Sequence, residues 1–122
     1  MSSYLGILFM RFLAKLPLPL VRGFAAVIGR ILFVLAVPRR RVVLRNLELC
    51  FPQESAQQRK QWARESFVYF CQAWLDRSWL WHAPLPVLQK RLKLHGAVHE
   101  LEGTTPTIIF GPHFYGLDAA AT

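Results

Sequence analysis

The first 45 residues contain no acidic side chain. They hold eight basic ones: Arg11, Lys15, Arg22, Arg30, Arg39, Arg40, Arg41 and Arg45. Residues 46–122 carry seven basic and seven acidic residues, so the net charge of +8 rides wholly on the N-terminal part. That part is also the most apolar, and basic residues set in an apolar segment suit an anionic membrane surface. Nucleic-acid binding, which needs positive charge on a polar folded face, is not expected. Cysteine is scarce too. Cys50 and Cys71 stand 21 positions apart with no CxxC or CxxH pattern near them, which excludes a zinc knuckle and argues against a disulfide scaffold. Both read as small buried hydrophobes. No small-x-small site precedes the arginine cluster, so a cleaved signal peptide is not expected. Internal repeats and low-complexity tracts are absent. No Gly, Asn or Pro follows Asp118 to close the helix it opens, from which the chain reads as a fragment of a larger protein, cut within a helix.

What is present is mostly hydrophobic, at 53% of 122 residues, and this length suits one modest domain. Pro17 and Pro19 divide the apolar N-terminus, predicting one helix from about Tyr4 to Leu16 and a second from near Pro19 to Val37, ahead of Pro38. The second is near the length of a bilayer core. Arg30 at its middle would cost about 2.5–3.5 kcal/mol on insertion scales, so an interfacial or half-inserted pair of helices stands beside a full span. Arg39, Arg40, Arg41 and Arg45 read as the cytoplasmic flank of this anchor, reaching lipid phosphates.

Ser55 followed by Gln58 is a capping box, predicting a helix that runs to about His82, before Pro84. Trp62, Phe67, Phe70, Cys71, Trp74 and Leu75 give it one apolar face at helical spacing. Its aromatic residues, with Trp79 and Trp81, read as core, with an acyl-lined groove as the alternative. A short helix is expected over Pro86–Arg91. The alternation Leu92-Lys-Leu-His95 and the β-branched run Thr107-Ile-Ile-Phe110 predict strands, and Gly111-Pro112 stops the second of them. The expected fold class is therefore α/β: hydrophobic anchoring helices, a long amphipathic helix, then the first strands and helix of an incomplete α/β domain. Residues 1–45 form the expected anchor, and 46–122 the start of a catalytic domain.

Loops beyond the carboxyl ends of strands are where α/β sheets present their chemistry, and His113 follows the second strand at once. Histidine is suited to take a proton from a hydroxyl near neutral pH. Asp118 lies five residues on. Within one helix that spacing turns a side chain by about 140°, so the two meet only if His113 lies in a loop and Asp118 in the first turn of the next helix. An aspartate there orients the imidazole and stabilises the imidazolium. Gly111 and Gly116 would let substrate approach the backbone closely. With no Ser or Cys beside the pair, the nucleophile would be a hydroxyl of the substrate, activated directly and without a covalent enzyme intermediate. The bland alternative is a strand-end histidine bonded to backbone, with Asp118 as a helix N-terminal charge. His82, His95 and His99 have no metal-ligand spacing. No metal or cofactor is expected.

Asn46-Leu-Glu-Leu-Cys-Phe-Pro52, then Ser55 and Arg59, then Gly111-Pro-His-Phe-Tyr-Gly-Leu-Asp118 together resemble the lipid A late acyltransferases. This is the lauroyl/myristoyl family of Gram-negative lipopolysaccharide synthesis, within the lysophospholipid and glycerol-phosphate acyltransferase superfamily. The resemblance spans almost the whole chain; the His-x4-Asp box itself is shared superfamily-wide. It implies transfer of an acyl group from acyl carrier protein to a hydroxyl of the lipid A precursor. The implied location is the cytoplasmic face of the inner membrane, with His113 as base and Asp118 as its acidic partner. The arginine cluster would meet lipid phosphates or the acidic carrier protein, or simply set topology. Later family motifs lie beyond Thr122, so the fragment alone is expected to be inactive. A glycerol-phosphate or lysophospholipid acyltransferase and a non-catalytic membrane-anchored fragment are the alternatives.

Overall fold

The computed structural model describes residues 2–93, 95, 96, 99, 102–104, 106, 108, 111, 115 and 117–120. Apart from His99, which is in 3-10 conformation, the regular elements among them are α-helices: α1 (Ser2–Ala14), α2 (Leu18–Leu35), α3 (Val37–Cys50), α4 (Ala56–His82), α5 (Leu85–Arg91) and α6 (Leu117–Ala120). Proline writes much of this punctuation. Pro17 precedes α2, and Pro19, Pro38 and Pro86 sit in first turns, where a missing N–H costs no hydrogen bond.

The 27 residues of α4 make a rod of about 40 Å, against which α1, α2, α3 and α6 all pack. Ser55 caps it, its Oγ accepting from the Gln58 N–H at 3.1 Å. Ser55→Ala should lower stability by about 1 kcal/mol, read as a drop of a few degrees in the unfolding midpoint of detergent-solubilised protein; an unchanged midpoint would mean the cap contributes nothing.

Along α2 the buried residues Val21, Ala25, Gly29 and Phe33 recur every fourth position, a single ridge. It runs antiparallel to α4: Arg22 meets Asp76, Gly29 meets Val68, and the Phe33 ring meets Phe67 edge-on at 5.6 Å. Val21 and Ala25 join Leu13 of α1 and Cys71 and Leu75 of α4 in the core. Burial pushes the Cys71 thiol upward in pKa, so it stays protonated and inert. The outer sides of α1 and α2 remain apolar and exposed, among them Leu5, Phe9, Phe12, Phe24, Ile31 and Leu35. The helix Leu18–Leu35 is long and apolar enough to cross a bilayer.

Ala36, at φ −82° and ψ 62°, both ends α2 and starts α3. Arg40 fastens the joint, donating to the carbonyls of Phe33 and Val34 at 2.9 and 3.1 Å while its guanidinium lies 5.5 Å from the Phe33 ring. At the other end of α3, Arg59 donates to the carbonyls of Phe51, Pro52 and Glu54, and Phe51 packs edge-on against Trp62 at 5.3 Å. The run Asn46–Pro52 is thus the last turn of a helix and the start of a pinned turn. Arg45 and Asn46, where the two expected domains would meet, are consecutive residues inside α3.

The α/β expectation is overturned: no strand occurs among the described residues, which pack helix on helix. Leu92 has extended backbone (φ −94°, ψ 128°), but a strand exists only through ladder hydrogen bonds to a neighbour, and no described segment pairs with it. Of the second expected strand, 107, 109 and 110 lie outside the described residues. Ile108 is 96% exposed, the reverse of a buried strand position.

Candidate active site

Asp118 is the second residue of α6, a single helical turn seated against α4. Arg77 of α4 donates from Nε to Asp118 Oδ2 at 2.6 Å, a short charge-assisted bond. The Arg77 guanidinium also lies 5.7 Å from the ring of Trp81, one turn further along the same helix. Both partners of the ion pair are about a third exposed, so it is worth no more than about 1 kcal/mol of stability. Its weight is positional.

The neighbouring residue on α4 is equally engaged. Asp76 accepts from Arg22 Nη2 at 3.2 Å and from the Trp79 indole at 3.0 Å, and Gln72 donates to the Arg22 carbonyl at 3.3 Å. Tyr115 leans edge-on against Phe70, ring centres 6.3 Å apart. Between α2, α4 and α6 lies an open cleft of about 300 Å³, lined by Arg22, Tyr69, Asp76, Leu80, Tyr115 and Asp118 among others. Its charged walls are Arg22, Asp76 and Asp118, with Arg22 paired to Asp76 and Asp118 paired to Arg77, which is not one of the lining residues.

Of the residues expected at the site, Asp118 stands at this cleft, whereas His113 and Gly116 lie outside the described residues. Gly111 is exposed, and a β-carbon there would meet nothing within 4 Å. The four arginines expected at lipid phosphates divide by environment. Arg39 and Arg41 are exposed, Arg40 is spent on the end of α2, and Arg45 pairs with Glu48 at 2.7 Å. The aromatic stripe divides as well: Trp79 is buried core, while Trp74 and Trp81 are exposed. Among the described residues no three His, Cys, Asp or Glu side chains gather as a metal site would require.

Sequence reasoning does not single out Arg77. A signal exists in the doublet Asp76-Arg77, set between Leu75 and Ser78-Trp-Leu-Trp81 in the apolar half of α4. Opposite charges there need partners, and both have them.

Asp118, the last residue of the segment Gly111–Asp118, thus stands at the surface of a helical scaffold. The chain belongs to the bacterial lipid A biosynthesis acyltransferases, whose family it matches over residues 1–122. It is similar to the lipid A biosynthesis lauroyltransferase of Escherichia coli (strain K12), with 25% identity over 122 residues, which is 98% of this chain and 40% of that protein. The chain thus spans about two fifths of the length of this curated relative. No solved structure matches it. The family resemblance read from the sequence is borne out.

Proposed function

We propose that this chain is part of an enzyme that moves a fatty acyl group from acyl carrier protein to a hydroxyl of a lipid A precursor, with His113 as general base and the Asp118 carboxylate as the partner that orients it. The observation that carries this reading is the family match running through the whole chain, including Gly111–Asp118. His113 takes the proton of the acceptor hydroxyl as its oxygen attacks the thioester carbonyl. The Asp118 carboxylate supports the imidazolium that forms. Collapse of the tetrahedral intermediate breaks the carbon–sulfur bond, and the proton passes from the imidazolium to the leaving thiolate. The apolar exposed sides of α1 and α2 sit in the inner membrane, with Arg39 and Arg41 at the phosphates of its cytoplasmic face. Residues 1–45 serve as anchor and 46–122 as the beginning of the catalytic part.

The test is a strain lacking the gene, with its lipids examined by mass spectrometry. Lipid A should be lighter by one acyl chain, and the intact gene should restore it. Unaltered lipid A beside changed glycerophospholipids would overturn this reading in favour of a glycerol-phosphate or lysophospholipid acyltransferase.

A further inference from the structure

We propose that Arg77 is a positioning residue of the acyl-transfer reaction, holding Asp118 in the orientation that serves His113. The inference rests on the base-and-acid reading above. Asp118 stands in the first turn of α6, and α6 packs on α4. The orientation of Asp118 must therefore come from what α6 touches. Among the described residues that surface is α4, and a polar contact across it runs from Arg77 Nε to Asp118 Oδ2 at 2.6 Å.

Three features make this contact a fixed reference. Arg77 sits in a 27-residue helix packed along α1, α2 and α3, and its guanidinium is also held over Trp81. Its neighbour Asp76, the other carboxylate on this stretch of α4, is occupied by Arg22 and the Trp79 indole. It therefore does not draw Arg77 away. Finally, the bond from Nε to Oδ2 is short and charge-assisted. At the other side of the turn, Tyr115 rests on Phe70 of the same helix.

The experiment measures kcat, KM and unfolding midpoint for the intact enzyme in detergent and for its R77A, R77K, D118N and R77A/D118N variants. R77A should lower kcat by about 10- to 100-fold, the usual consequence of losing a group that orients a functional side chain, with KM little changed. R77K, which keeps the charge but loses the planar donor, should recover part of that. In the D118N background, R77A should cause little further loss, because its effect passes through the carboxylate already removed. Wild-type kcat in R77A overturns the proposal. So do losses that multiply in the double variant, or a loss that follows the unfolding midpoint alone. If R77A does not fold, R77K and R77Q decide by the same kcat criterion. An active H113A enzyme would instead remove the reading beneath, whereas an inactive H113A beside a fully active R77A overturns the Arg77 role alone.

Discussion

Replacing His113 with alanine in the intact enzyme is expected to lower kcat for acyl transfer by about 10²- to 10⁴-fold, the range that general base catalysis supplies. The size of the effect follows from the chemistry of the acceptor. An alcohol is a poor nucleophile until its proton is removed, and no serine or cysteine stands in the Gly111–Asp118 segment to provide a covalent route. Cys71, the nearest buried thiol in sequence, is kept protonated by its apolar surroundings. Membrane association should be unchanged, because the exposed apolar sides proposed to sit in the membrane lie on α1 and α2. Radiolabelled acyl transfer to lipid A precursor, measured beside membrane partition of the same protein, checks both halves. Activity within a few-fold of wild type would end the assignment of His113 as base.

The second large effect is structural and falls at Gly29. A β-carbon there would lie 2.6 Å from Val68 Cα, 2.8 Å from the Phe67 carbonyl oxygen and 2.9 Å from the Val68 nitrogen. All three are backbone atoms of α4, so no rotamer change relieves the clash and the helices must separate. Separation would loosen Ala25 and the Phe33–Phe67 contact above and below. Gly29→Ala should therefore cost about 1–3 kcal/mol, despite the gain of about 1 kcal/mol that alanine brings to a helix interior, and Gly29→Val should cost more. Gly23 is the internal control. It lies on the same helix, and a β-carbon at that position would meet nothing within 4 Å, so Gly23→Ala should raise stability by up to about 1 kcal/mol. Thermal unfolding in detergent compares the three. A Gly29→Ala protein as stable as the Gly23→Ala one would show that α2 does not lie against Val68.

How much of this is legible in the sequence varies with the range of the forces involved. Local signals read well. The Ser55 capping box, the prolines at 17, 19 and 86 and the long apolar periodicity place α1, α2, α4 and α5 within a few residues of their observed ends. The helix α3 escapes because its arginines speak first of charge, and because Pro38 looks like the end of one helix when it is the start of the next. The α/β expectation fails where a pattern of four residues, Leu92–His95, has to stand for a property that depends on a partner strand. At the site, Asp118 can be picked out from its box, but Arg77 is 41 residues away from it and spacing carries no information across that distance. The same holds for Arg40, whose side chain looks like one more member of a basic cluster until the carbonyls of Phe33 and Val34 are seen beneath it.

Consecutive residues of a helix point about 100° apart, and on α4 two of them divide the molecule between them. Asp76 is tied to α2 through Arg22, and Arg77 is tied to α6 through Asp118. The apolar helix and the carboxylate are thus gauged from neighbouring marks on one ruler. The height of Asp118 relative to α2 is referred to the pitch of a single helical rod.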